Sequence, residues 1–201
     1  MIGKNRDAID EIEAMTIATQ QPITLEAFLK LPETKPASEY INGTIIQKPM
    51  TGGKHSRLRL KLCNAINHLG ELQKTAYAFP ELRCTFAGRS LVSNIAVFAW
   101  SSIPLNEDGE LIDDVLIAPD WTIEILSPEQ GSNRVTGNIL HCLQHGCSLG
   151  WLIDPGDRSI LAFLPKQEPV LYEGDDPLPV LTGVPLELTV QQVFSWLKMS
   201  G

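Results

Sequence analysis

The stretch IAPDWTIEILSPEQGSNRVTGNILHCLQHGCSLGWLIDP, Ile117 to Pro155, decides the fold. Trp121, Ile123 and Ile125 interleave with Thr122, Glu124 and Leu126, the period-2 pattern of a strand. Apolar residues fall on both faces, as in a central strand covered on both sides. Ser127 and Pro128 close it. Val135, Ile139, Cys142 and Leu143 then recur at i, i+4, i+7 and i+8, an amphipathic helix that Gly146 can end. Leu149, Trp151 and Ile153 alternate again, and Asp154-Pro155-Gly156-Asp157 turns the chain back along Ser159 to Leu164. A strand, a short helical crossover and a second strand predict a βαβ unit with its two strands parallel in one sheet.

Glu124 is the anomaly within this unit. A carboxylate in the middle of a buried strand must pair, shift its pKa or hold a cation, because an unpaired buried charge is strongly unfavourable. A partner is therefore expected to face it, near the rim of the sheet.

Upstream of this unit, Thr24 caps a short helix with Leu25, Phe28 and Leu29 facing inward, and Pro32 stops it. Glu39-Tyr40-Ile41 and Thr44 to Gln47 flank Asn42-Gly43, the signature of a hairpin with a type I′ turn. Gly52-Gly53 releases the chain into the longest helix, about His55 to Lys74, with Leu58, Leu62, Ala65, Ile66, Leu69 and Leu72 as its buried stripe. Lys54, Arg57 and Lys61 share another face of it, either a solvated face or a ridge that contacts phosphates. A strand over Glu81 to Phe86 turns at Ala87-Gly88-Arg89 into a second, Leu91 to Ala99, on which Asn94 shares a face with Ala96 and Phe98. Asn94 is placed to face Glu124 across the sheet. An acidic loop, Ser101 to Val115, separates this hairpin from the central unit and would repel phosphate. Downstream, Thr189 and Gln192 form a capping box, and Val190, Val193, Phe194 and Leu197 make the stripe of a last helix.

The 201 residues fit a single domain over 21–201, preceded by an arm over 1–20 whose helical stripe is thin. No apolar run approaches the roughly 18 residues of a membrane span, and the first residues lack a signal-peptide pattern, so a cytoplasmic protein is expected. The net charge of −8 argues against a general polyanion binder. A local basic face can still act, because salt screens charges beyond about 8 Å. Cys63, Cys84, Cys142 and Cys147 form no CxxC pair and read as reduced core thiols. His141, Cys142, His145 and Cys147 are a dense cluster of zinc-type ligands, with the two histidines at i and i+4, but Cys142 belongs to the buried stripe while the histidines point elsewhere.

The ordered pieces TLEAFL, SEYINGTI, the start of the His55 helix, ELRCTFAGRSLVSNIAVF, APDWTIEILSP and ILHCLQHGCSLGWLIDP resemble a bacterial restriction endonuclease family of the Uma type, built on the PD-(D/E)xK nuclease fold. The likeness runs from about Thr24 to Leu197. It implies an α/β (α+β) fold, with a central mixed β-sheet flanked by helices. It also implies two acids and a lysine that hydrolyse phosphodiesters with Mg²⁺. The family's second acid falls on Glu124. Its first acid falls on Asn94, within Ser93-Asn94, and its lysine on Gly137 or Asn138. Arg134 could stabilise charge in the lysine's place, and Glu39 or Glu81 could supply the missing carboxylate. Catalytic candidates are thus Asn94, Glu124, Arg134 and Asn138, and metal candidates are Asn94, Glu124 and Glu39, with Mg²⁺ weakly held or absent. Lys54, Arg57 and Lys61 are the candidates for DNA.

The resemblance implies a DNA endonuclease with a degraded or atypical site, or a non-catalytic descendant that binds nucleic acid or protein. A homodimer would suit the cutting of both strands of a duplex.

Overall fold

The computed structural model describes residues 23–128 and 130–199, and the arm expected over 1–20 lies outside them. In chain order the elements are α1 (Leu25–Leu29), β1 (Ser38–Ile41), β2 (Thr44–Gln47), α2 (Gly53–Gln73), β3 (Ala76–Pro80), β4 (Arg83–Phe86), β5 (Arg89–Val92) and β6 (Ile95–Ala99). There follow β7 (Trp121–Ile125), α3 (Ser132–Gln144), β8 (Leu149–Asp154), β9 (Ser159–Phe163), β10 (Val170–Tyr172) and α4 (Val190–Ser195). The fold is mixed α+β, with two sheets flanked by helices. A six-stranded sheet runs β10-β9-β8-β7-β6-β3, and a four-stranded sheet runs β2-β1-β5-β4.

The βαβ unit forms as its sequence pattern predicts. β7 and β8 pair in parallel, with Ile123 opposite Trp151, while β6 lies antiparallel on the other side of β7. Every residue of β7 is buried. Its odd positions, Trp121, Ile123 and Ile125, pack into the main core with Leu58, Leu62 and Ile66 of α2 and Val190, Val193 and Phe194 of α4. Its even positions, Thr122 and Glu124, look toward α3 and the four-stranded sheet, where Ala96, Phe98, Cys84, Leu91 and Cys142 form a second core. Val135 and Ile139 seat α3 on Leu152 and Phe163. Gly150 makes this contact close, since a Cβ there would lie 2.3 Å from Ile139 Cγ2.

Local signals account for the element ends. Asn42 and Gly43 both have positive φ, 50° and 83°, as the turn between β1 and β2 requires. Thr24 Oγ1 accepts a hydrogen bond from Ala27 N, and Thr189 and Gln192 form the reciprocal capping box of α4. Gly146, with φ 109°, follows α3.

Three sequence-based expectations are corrected. Leu91 to Ala99 is not one strand: β5 belongs to the four-stranded sheet and β6 to the six-stranded one, and the chain changes sheet at Ser93-Asn94. The polar pair interrupts the ladder, and the chain passes there from the four-stranded sheet to the central mixed one. Glu81 is not in a strand but in the turn before β4, with φ 50° and its N–H donating to Asn94 O. Leu72 is exposed, and Leu58, Leu62, Cys63, Ile66 and Gly70 form the buried side of α2 instead. Trp100–Ser102 forms a 3-10 turn at the start of the acidic loop.

Candidate active site

The change of sheet creates the site. Where β5 leaves one sheet and β6 enters the other, a polar cluster forms from Glu39 of β1, Lys48 just after β2, Asn94 before β6, Glu124 of β7 and Asn138 of α3. Glu39, Asn94, Glu124 and Asn138 are all buried.

Glu124 has the partner its position demands. Lys48 Nζ lies 3.4 Å from Glu124 Oε2 and donates to Val92 O at 2.5 Å. Burial nevertheless dominates and pushes the Glu124 carboxyl up to about 7. Lys48 pulls in the opposite direction, Glu39 adds to the rise by like-charge repulsion, and the backbone of Asn94 offsets a little of it. Near neutral pH the group is therefore divided between acid and carboxylate.

Glu39 is fixed by two hydrogen bonds, from Val92 N to Oε1 at 3.0 Å and from Asn138 Nδ2 to Oε2 at 3.2 Å. Asn94 Oδ1 accepts from Ile125 N at 2.8 Å. The β6–β7 register, Ile95 opposite Ile123, puts Asn94 across from Glu124 at the next position outward, where both side chains belong to one face. Beside them Ser93 and Thr122 share a hydroxyl hydrogen bond of 2.9 Å.

Among the described residues, the side chains of the remaining candidates form no hydrogen bond or ion pair with this cluster, although the Glu81 N–H donates to Asn94 O. Arg134 is exposed on the first turn of α3. Gly137 is half-buried, with nothing within 4 Å of where a Cβ would sit. Glu81 is ion-paired with Arg59. The three basic residues of α2 diverge in surroundings: Lys54 is exposed at the mouth of a cleft, Arg57 Nε donates to Trp196 O of the C-terminal segment, and Lys61 is half-buried. Arg57 is thus tied into the fold, which an unpartnered ridge would not require.

Lys48 was not singled out in the sequence, yet a signal for it was present. A two-residue Asn42-Gly43 turn fixes the pairs 41 with 44 and 39 with 46, so 37 falls opposite 48 and Lys48 shares a face with Glu39. His55 was also missed as a site residue. It is buried at the start of α2, and desolvation lowers its imidazole to about 4, with Asn94 opposing that shift and Arg59 and Lys48 adding to it.

His55 connects the cluster to open space. A cleft of about 660 Å³ is lined by Gly52 to His55, Leu126 to Pro128, Gln130, Ser132 and Asp154 to Gly156. It lies beyond the carboxyl ends of the parallel strands β7 and β8, where open α/β sheets commonly bind ligands.

The zinc-type cluster has a different geometry. His145 Nδ1 is 2.8 Å from His141 O, His141 stacks on Phe86, and the Cys147 thiol points to Leu149 O at 3.0 Å. Burial pushes Cys84 and Cys147 up to about 12 and Cys142 further still, so these thiols stay protonated. Among the described residues, no three His, Cys, Asp or Glu side chains gather closely enough to hold a metal ion.

Comparison with known proteins places the chain. The profile of the Uma2 family, "Putative restriction endonuclease", matches residues 25–192, and the chain belongs to that family. It is similar to the crystal structure of "a putative nuclease belonging to DUF820" from Anabaena variabilis ATCC 29413, at 52% identity and a TM-score of 0.86, over 88% of this chain and 100% of that one. None of the curated proteins matches it. Family and neighbour together mark the protein as nuclease-like. No helix among the described residues is long and apolar enough to cross a membrane.

Proposed function

We propose that this protein is a Mg²⁺-dependent DNA endonuclease with an atypical active site, in which Glu124 and Glu39 are the carboxylates and Lys48 is the lysine. The observation that carries this reading is the part-buried contact of Lys48 with the buried Glu124, beside Glu39, at the edge of an apolar core. Two acids and an ammonium group are costly to bury. Their burial at a strand end beside an open cleft is what phosphodiester chemistry would use.

The donors are of the kind Mg²⁺ takes, since Glu124, Glu39 and the Asn94 amide all offer hard oxygens. The ion would polarise the phosphate and offset its charge. Its affinity should be low: Glu124 holds a proton to about pH 7, Lys48 occupies one of its oxygens, and Asn94 carries no charge. With a cation on Glu124, Lys48 would be free to orient water or to face the scissile phosphate. Asn138 holds Glu39 in place.

The test is cleavage of supercoiled plasmid with Mg²⁺ or Mn²⁺. Slow cutting is expected that increases as pH rises through about 7, the point at which Glu124 ionises. Glu124→Ala should abolish it. Asn94→Asp should tighten Mg²⁺ binding in titration calorimetry and speed cutting, whereas Asn138→Ala, which frees Glu39, should slow it. If neither the wild type nor these variants cut at any pH, the reading fails in favour of a non-catalytic protein that binds nucleic acid or a protein partner.

A further inference from the structure

We infer that the cleft beside the buried acids is a phosphodiester-binding site, built by the N-termini of α2 and α3 with Lys54, His55 and Ser127, and that it seats a backbone phosphate of a nucleic-acid strand. It deepens the nuclease reading by naming what the adjoining cleft holds.

The 21-residue α2 and the 13-residue α3 both begin at this cleft, with Gly53, Lys54 and Ser132 in its walls. The first N–H groups of any helix lack intrahelical acceptors, and each helix start carries about half a positive charge. A capping side chain usually meets these groups, but the N-caps here are Gly52 and Gly131, and neither helix has a side-chain cap. Nothing in the fold calls for glycine at either. Their φ values, −79° and −66°, suit any residue, and a Cβ at either would meet nothing within 4 Å. Bare backbone at both helix starts leaves room for a ligand to approach.

Two further groups in the cleft wall await a partner. His55 is only 5% exposed and Ser127 7%, both line the cleft, and His55 Nδ1 and Ser127 Oγ have no hydrogen-bond partner among the described residues. Buried polar groups rarely go unpaired, and these two stand in the wall of the cleft, where a ligand or an ordered water can meet them. A phosphate's non-bridging oxygens can accept from the serine hydroxyl and from His55 Nδ1 when it carries the proton, and a carried water can donate to Nδ1 in the other tautomer.

Charge chooses the form of phosphate. Among the described lining residues Lys54 carries +1 and Asp154 −1, and Asp154 Oδ1 already accepts from Gly156 N at 2.8 Å. The two helix starts then leave about one positive charge in total. That matches a singly charged phosphodiester better than free phosphate or a phosphate monoester, which carry about −1.5 to −2.

The experiment is metal-free, in EDTA, so it does not depend on cutting. Gly52→Asp and Gly131→Asp each add a capping carboxylate that should hold or raise the melting temperature while repelling a phosphate. Binding of a fluorescent oligonucleotide by anisotropy should fall about tenfold or more in each, the loss expected when a charge-assisted contact becomes repulsive. Lys54→Gln should weaken binding and lower the slope of log K against log salt by about one. Wild-type affinity in both Asp variants would overturn the inference. Inorganic phosphate that binds the wild type and competes with the oligonucleotide more strongly than dimethyl phosphate does would overturn the choice of diester. Loss of plasmid cutting with oligonucleotide binding intact would break the nuclease reading and leave this one standing.

Discussion

The two faces of β7 are built to opposite rules. On one, Trp121, Ile123 and Ile125 press into the core against α2 and α4, with the Trp121 and Trp151 rings edge to face at 4.7 Å. On the other, Thr122 bonds Ser93 and Glu124 meets Lys48, so a strand buried throughout carries a hydroxyl and a carboxyl on one side. The apolar face gains from every buried methylene. The polar face gives up stability to hold an ionisable group where water is scarce, the kind of arrangement that clusters at functional sites.

The sharpest way to break the contrast is to empty the apolar face. Ile123→Ala should cost about 2–5 kcal/mol, because the removed atoms leave a cavity in a core that cannot collapse around it. Urea denaturation would measure it, and a cost near zero would mean that this face is not the foundation of the fold.

On the polar face the opposite sign is expected. The folded chain keeps the Glu124 proton up to about pH 7, while the unfolded chain loses it near 4.5. The stability this contributes is therefore fully present below pH 4.5 and is lost as pH rises through 7. Glu124→Gln should remove that loss and make the protein more stable above neutrality, by about 3 kcal/mol at most. His55 works in reverse: its imidazole falls from 6.5 to about 4, so its contribution is present above 6.5 and lost as pH falls through 4. Thermal melts of Glu124→Gln and His55→Gln across this range should separate the two.

Smaller effects probe the helix that covers the polar face. Gly150→Ala would drive a methyl into Ile139 and should cost about 1–3 kcal/mol. Gly137→Lys should be tolerated, and should even stabilise α3 by about 0.5 kcal/mol, because glycine is a poor helix former and open space surrounds the position. A large loss from it would mean that α3 packs more tightly than its open position at Gly137 suggests.

How much of this was legible follows the same division. The βαβ unit, the Asn42-Gly43 hairpin and the Thr189 capping box are local patterns, and each appears where its residues put it. The apolar face of β7 was legible for the same reason. The polar face was legible only in part: Glu124 is conspicuous as a charge in an apolar run, and Asn94 follows from strand alternation. The change of sheet at Ser93-Asn94 was not, because Leu91, Val92 and Ile95 continue an apolar run across it and nothing local tells a break from a polar step. Lys48 becomes visible only once hairpin register is carried past the strand end. Arg57, read as one of three cations on a helix face, reaches a backbone carbonyl far away in sequence, which spacing alone cannot reveal.

The central claim is that Glu124 is a carboxyl poised between proton, Lys48 and cation. Its side-chain carboxyl carbon can be followed directly by NMR as pH and Mg²⁺ are varied. The account predicts a midpoint near 7 that falls when Mg²⁺ is added and rises in Lys48→Met. A midpoint near the ordinary glutamate value of 4.5, unmoved by Mg²⁺ and by loss of Lys48, would contradict it.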